Sequence, residues 1–317
     1  MAIRSFIARN GAWRHAVAAL GILALAAQAG IAAPDMGNTA DKSKGDGGFL
    51  ASFGWFDAPR PRYSLTIQLD PPRAALPLPP VEGVTGPGRP LVVIDPGHGG
   101  HDPGAVTPEG ALREKELTLA VARAIRDELL ASGRVRVAMT RNDDHYLVHR
   151  ERFEIARKLG ADLFVSIHAD AAARPEARGA TVYTLSATAS DSEAALLAQR
   201  ENRSDIIKGV DLGGENAGVA TILIDLAQRE TLEDSTDFAE LLKREADPMV
   251  TFRPDYHRTA SLLVLKAPDV PSILFECGYI TNAEDVAFLG SAEGRKRIAR
   301  GFRQAVEIHF ARRLASR

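Results

Sequence analysis

From Leu91 to the C-terminus the apolar positions follow two alternating rhythms. "LVVID" is a continuous apolar run, as expected of a strand buried on both faces of a sheet, and "DLFVSIHAD" reads as a second buried strand that ends in a histidine. "VRVAMT", "GATVYTL", "ASLLVLK" and "SILFE" also read as strands. Between them, "KELTLAVARAIRDELLASG" places Leu117, Val121, Ala124, Ile125 and Leu129 at helical spacing and stops at Gly133. "HRERFEIARKLG" is a second helix, stopped by Gly160, and helix-like segments run from about Ser192 and again from Asn282 to the end. Strand and helix in alternation predict an α/β fold: one domain with a mostly parallel central sheet flanked by helices. Residues 186–258 break this rhythm with many acidic residues and two glycine clusters, and read as a partly helical insertion between sheet strands.

The N-terminal part has neither rhythm. Arg4, Arg9 and Arg14 precede an apolar run from Ala16 to Ala27, and Ala27-Gln28-Ala29 fits a small-x-small cleavage site better than Ala32-Ala33, which Pro34 follows. Residues 1–29 therefore read as a secretory signal peptide, because the apolar run is shorter than the ~20 residues a membrane anchor needs. Residues 30–88 read as a Pro/Gly-rich linker, extended and semi-stiff, with "RYSLTIQLD" as one isolated strand-like stretch. The catalytic domain is expected over 89–317.

Composition narrows the function classes. A net charge of −2 gives no general attraction to nucleic acid or acidic membranes, and the loss of three arginines with the signal makes the mature chain more acidic. Cys277 is the only cysteine, so neither an internal disulfide nor a thiolate metal site is expected. No stable membrane insertion is expected after signal cleavage.

Ligands of open α/β sheets bind beyond the carboxyl ends of strands. Three strand ends here carry polar groups: "VVIDPGH" delivers His98, "FVSIHAD" delivers His168 and "SILFE" delivers Glu276. A fourth, Glu114, sits where the Gly-rich loop "PGHGGHDPGA" becomes the first helix. Two histidines and a carboxylate with an open fourth position suit catalytic zinc. Glycines between His98 and Glu114 let the loop fold back on an ion. Each residue taken alone has a plainer reading: Glu114 as a first-turn carboxylate favoured by the helix dipole, His98 as a turn residue. Glu276 is the hardest to explain that way, since a carboxylate at the end of a buried strand needs a partner. His101 reads as a loop neighbour of the site.

"IDPGHGGHDPGA", "REKELTL", "ADLFVSIHADA", "GATVYTLS" and "LKAPDVPSILFECGYITN", in this order from about Pro90 to the end, resemble the zinc-dependent N-acetylmuramoyl-L-alanine amidases, peptidoglycan amidases of the cell-division type. The resemblance implies zinc ligands at His98, Glu114 and His168, a catalytic Glu276, and hydrolysis of the amide between N-acetylmuramic acid and L-alanine. "FECGYITN" departs from the commoner "VETGFITN"-like wording and sets Cys277 beside the catalytic residue as a small core side chain. The resemblance also implies a periplasmic enzyme that releases stem peptides for wall remodelling and daughter-cell separation. Some members carry a helical insertion over the zinc, displaced by an activator protein with an inactive peptidase-like domain. "AALLAQRENRSDIIKGV" resembles that insertion, with Glu201 as the autoinhibitory ligand and Asp205 and Glu215 behind it. A separate wall-binding domain does not fit the short, Pro-rich residues 30–88. Two rivals stand beside this reading. A zinc carboxypeptidase would need a cation such as Arg141 or Arg150 for a terminal carboxylate; a wall-binding protein with a dead site is disfavoured by the complete His/Glu/His/Glu set.

Overall fold

The computed structural model describes residues 77–315, apart from 87, 173, 175 and 207–219, and without the side chains of Ile206 and 220–228. The expected signal peptide and most of the expected linker, including "RYSLTIQLD", lie outside the described residues, as does Glu215. Six strands form one sheet in the order β2-β1-β3-β6-β4-β5. They are β1 (Leu91–Pro96), β2 (Arg136–Met139), β3 (Leu163–His168), β4 (Ala180–Leu185), β5 (Phe252–Ala260) and β6 (Ser272–Glu276). β2, β1, β3 and β6 are mutually parallel, and every residue of β1, β3 and β6 is buried, as their unbroken apolar runs predict. β4 joins β6 antiparallel, and β5 joins β4 parallel.

Helices α1 (Glu114–Ser132), α2 (His149–Leu159), α3 (Ser192–Ile206), α4 (Ala220–Ala246), α5 (Ala283–Gly290) and α6 (Ala292–Ala315) complete the domain. One face of the sheet sends Val92, Ile94 and Val165 into a core with Val121 and Ile125 of α1, Phe238 of α4 and Phe302 of α6. The other face sends Leu91, Val93, Phe164 and Tyr183 against Ala156 of α2 and Ala194 and Leu197 of α3. The period-2 alternation of strand side chains thus divides one sheet between two helical layers.

Two expectations change. The "ASLLVLK" strand is absent: Leu263–Leu265 form a single 3-10 turn, and Leu262, Val264 and Leu265 are buried in the second core. A short apolar run has no periodicity to tell a strand from a buried turn. The sheet strand instead begins at Phe252, inside the stretch read as insertion, because "FRPDYHRTA" is a polar edge strand with only Arg258 and Ala260 buried. The end of the Pro-rich linker meets the domain at Glu82, whose N–H and carbonyl pair with Val137 on the free edge of β2 at 2.8 and 2.9 Å.

His309 of α6 is buried between Phe238 and Phe310, with ring centroids at 5.3 and 5.0 Å, and its Nε2 has no partner among the described residues. Burial, helped by the nearby Arg313, pushes its pKa down to about 4. Below the ordinary histidine value of ~6.5 the unfolded chain takes up a proton that the folded chain refuses. Stability therefore falls as pH drops from ~6.5 to ~4. His309→Leu is expected to remove about 2 kcal/mol of the loss between pH 7 and pH 4.5, measured by urea unfolding at both pH values. An unchanged pH slope would contradict this account of His309.

Candidate metal centre

Because β1, β3 and β6 are parallel, their carboxyl ends share one edge of the sheet. His168 and Glu276 are register partners at the ends of β3 and β6. His98 follows β1 by two residues and is the one non-glycine with positive φ (59°) among the described residues. L-residues avoid that conformation, so surrounding contacts must hold it. Two buried arginines supply them. Arg152 donates to the carbonyls of Pro96 and His98 at 2.8 Å each, and Arg141 donates to those of Pro96 and Gly97 at 2.9 and 2.7 Å. Asp95, fully buried at the end of β1, accepts from Arg152, Thr140 and Ser166 at 2.9, 2.5 and 2.7 Å. Its pKa is lowered: burial opposes the charge, but Arg152 and the two hydroxyls outweigh it.

The glycines of the loop are packing requirements. A Cβ at Gly97 would lie 2.5 Å from the His168 ring, and one at Gly104 would lie 2.6 Å from His98 and 2.7 Å from Glu114. Only glycine lets the loop pass that close. Glu114, the first residue of α1, then enters from the side. Its Oε2 accepts from the Ala105 N–H at 2.8 Å and its Oε1 from the Ala169 N–H at 2.9 Å, so it ties the loop to the end of β3.

His98, Glu114, His168 and Glu201 converge, with one ligand atom from each within 4.8 Å of all the others, and all four side chains are buried. His98 Nε2 lies 3.1 Å from Glu114, and His168 Nδ1 lies 3.2 Å from Glu114 and 3.3 Å from Glu201. Both ring nitrogens lack a hydrogen-bond partner among the described residues. The other ring nitrogen of His98, Nδ1, is held by Asp102 at 2.8 Å, which orients the ring as second-layer carboxylates orient metal-binding histidines. Burial disfavours the charged form of His98, yet Glu114, Glu201 and the Asp102 hydrogen bond outweigh it and raise its pKa well above the ordinary value. Two orphaned imidazole nitrogens in a buried, carboxylate-rich pocket are what a divalent cation satisfies, and the N/O donor set suits zinc.

Glu276 stands beside this cluster. Its Oε2 accepts from the Asp170 N–H at 3.0 Å, and its Oε1 has no partner among the described residues. Burial and then the charges of Asp170, Glu114 and Glu201 raise its pKa well above the carboxylate range. Asp170 is pushed up to about 7 by burial and by Glu114 and Glu201, against the pull of its ion pair with Arg200 of α3.

The remaining expected residues lie elsewhere. His101 is exposed and packs on Tyr146 with centroids 4.3 Å apart. Asp205 is turned away from the cluster and accepts from the His149 N–H at 3.1 Å, at the start of α2. Arg141 is buried on backbone carbonyls and presents no charge to a substrate carboxylate. Cys277 is a buried core residue whose thiol pKa is raised by burial and by Glu276. Asp95, Asp102 and Arg152 also support the site; only Asp95, a charge inside an otherwise apolar strand end, carries a local signal in the sequence.

The Amidase_3 family, described as N-acetylmuramoyl-L-alanine amidase, matches residues 92–308. N-acetylmuramoyl-L-alanine amidase AmiC of Neisseria meningitidis serogroup B is 40% identical over 223 residues, 70% of this chain and 53% of that one. N-acetylmuramoyl-L-alanine amidase AmiA of Escherichia coli K12 is 38% identical over 224 residues, 70% of this chain and 77% of that one. The chain thus spans about half of the first relative and three quarters of the second. Among solved structures, N-acetylmuramoyl-L-alanine amidase AmiC2 of Nostoc punctiforme aligns with a TM-score of 0.50 at 27% identity, over 73% of this chain and all of that one.

If the cluster binds a divalent ion, the ion should stabilise the fold by mass action, ~2.7 kcal/mol at a hundredfold excess over Kd. A chelator is expected to lower the melting temperature of the zinc-loaded chain by roughly 5–10 °C. The His98→Ala chain should show no such response. Equal chelator sensitivity in both would place the ion elsewhere.

Proposed function

The chain belongs to the N-acetylmuramoyl-L-alanine amidase family, and from that premise we propose that it hydrolyses the amide between N-acetylmuramic acid and L-alanine in peptidoglycan. The observation that carries this reading is the convergence of His98 Nε2, Glu114 and His168 Nδ1 on one buried point, with Glu276 next to it on a register-paired strand. In this proposal His98, Glu114 and His168 hold zinc. An ion held there would supply Lewis-acid polarisation of the scissile carbonyl and acidification of water, and would offset the carboxylate repulsion acting on Glu276. Glu276 Oε1, without a hydrogen-bond partner among the described residues, takes the proton of the attacking water and passes it to the departing amine of L-alanine. The Asp170 N–H fixes the other oxygen, Oε2, so the carboxylate presents one defined face.

Glu201 is proposed as an autoinhibitory ligand. Its Oε2 reaches within 3.3 Å of His168 Nδ1 and 3.8 Å of His98 Nε2, at the position a water or a substrate carbonyl would need. Neighbouring contacts favour α3 staying closed: Asn202 accepts from the Leu263 N–H at 2.9 Å, Asp205 caps the start of α2, and Arg200 pairs with Asp170. Activation then requires a partner that draws α3 away, in keeping with the activator protein expected from the sequence. A cleaved signal peptide over 1–29, a linker over 30–88 and a periplasmic location complete the proposal. No described helix is long and apolar enough to cross a membrane.

Purified peptidoglycan digested with the protein should release peptides that begin with L-alanine, identified by mass spectrometry. Single terminal amino acids would instead indicate a carboxypeptidase. Glu276→Gln should keep its metal and lose at least ~10²-fold in rate. Glu201→Ala should release stem peptides faster than wild type without an activator; a rate at or below wild type would refute inhibition by Glu201.

A further inference from the structure

A second polar cluster lies on the same face of the sheet as Glu276 and has no part in the chemistry described above. Glu193, in the first turn of α3, is gripped by two arginines of β5. Arg253 binds both carboxylate oxygens through its two terminal nitrogens, Nη1 to Oε1 and Nη2 to Oε2, the latter at 3.1 Å. Arg258 Nη1 adds a third contact to Oε2 at 3.0 Å. Arg253 Nη1 also donates to the Tyr279 hydroxyl at 2.9 Å, and that hydroxyl lies 3.4 Å from Thr181 Oγ1. Thr181 is the register partner of Glu276, and Tyr279 follows Glu276 by three residues. The cluster is therefore one strand away from the catalytic carboxylate.

The side chains of both arginines are largely enclosed, 12% and 5% exposed, whereas Glu193 is 29% exposed. The recess is built into the sheet, and the carboxylate fills it from the solvent side. Tyr183 lies under it, two residues beyond Thr181 and paired with Arg258. Its hydroxyl is buried, has no hydrogen-bond partner among the described residues, and feels the charges of Tyr279, Glu276, Arg258 and Glu193. Burying two guanidinium groups and leaving a hydroxyl unpaired is costly for contacts that serve only to anchor a helix. A recess with forked donors and a spare hydroxyl beside a catalytic group is the architecture of a carboxylate-binding site.

We infer that Arg253 and Arg258, with Tyr279 and Tyr183, form a substrate subsite for a carboxylate on the peptide side of the scissile amide, and that Glu193 occupies it as a stand-in while α3 is closed. α3 thus supplies two mimics from one helix, Glu201 toward the metal ligands and Glu193 toward the subsite. The spacing of eight residues on one helix sets the two about 12 Å apart along its axis. The inference rests on the amidase reading for the identity of the substrate, and on the geometry alone for the existence of the subsite.

The test uses the full chain and L-alanyl-D-glutamate, an acidic dipeptide that begins with the residue the proposed cleavage leaves, with its diamide as control. Glu193→Gln should bind the acidic dipeptide at least tenfold more tightly than wild type by calorimetry, and the diamide no more tightly. Arg253→Gln added to Glu193→Gln should abolish the gain, and Arg253→Lys, which keeps the charge without the fork, should recover only part of it. Thermal melts verify that each variant is folded. In cleavage assays, N-acetylmuramoyl-L-alanyl-D-glutamate should exceed its diamide at least tenfold in kcat/KM, and Arg253→Gln should erase that preference. If the arginines only anchor α3, Arg253→Gln raises cleavage of both substrates alike and Glu193→Gln gains no affinity, which overturns the subsite and leaves the amidase intact. If the dipeptide binds as expected but neither muramoyl substrate is cleaved, the subsite stands and the amidase reading falls.

Discussion

The structure depends on keeping Glu114 ionised in a place where water cannot reach it, with the Glu201 carboxylate close by. Glu114 is fully buried and Glu201 nearly so, and each faces two imidazoles whose pocket-facing nitrogens have no hydrogen bond among the described residues. Buried charge of this kind is costly unless paired. Backbone N–H groups of Ala105 and Ala169 offset part of that cost for Glu114, and its pKa is held well below the ordinary range because the His98 and His168 contacts outweigh burial. What the donor set still calls for is positive charge at its centre.

Much of the surrounding architecture holds this arrangement rigid. The three parallel strands bring His98, His168 and Glu276 to one edge, and the close passage of Gly97 and Gly104 lets the loop and α1 converge on it. The left-handed backbone at His98 persists because Arg141 and Arg152, buried beneath the loop, take up its carbonyls, and Asp95 balances Arg152. A site supported by strand ends and charge-assisted hydrogen bonds is held more tightly than one on free loops. α3 lies across it with acidic side chains on both sites it covers. In the proposed reading, inhibition and substrate recognition use the same groups, and displacing the helix would expose the candidate metal centre and the carboxylate recess together.

The fold was legible where burial is complete. "LVVID", "DLFVSIHAD" and "SILFE" are mostly apolar, and His98, His168 and Glu276, at or just beyond the ends of their strands, come together at the site. β5 was not legible, because an edge strand that carries arginines toward a helix has no apolar alternation to read. "LLVLK" misled for the opposite reason, since a turn buried under α2 is as apolar as a strand. Within the site, Glu114 gained its meaning only from the combined motif, while Arg141, read as a possible grip for substrate, is spent on backbone carbonyls. The contacts among Glu193, Arg253 and Arg258 join residues about 60 positions apart, which no local pattern encodes.

The central claim is that one divalent ion sits among His98, Glu114 and His168. The most direct measurement is anomalous diffraction at the zinc edge from crystals of the zinc-loaded full chain. The account predicts a single strong peak at ~2.0–2.2 Å from His98 Nε2, His168 Nδ1 and a Glu114 oxygen, with Glu201 or a water in the fourth position. A peak coordinated by His101, or no ordered peak between His98 and His168, would contradict it.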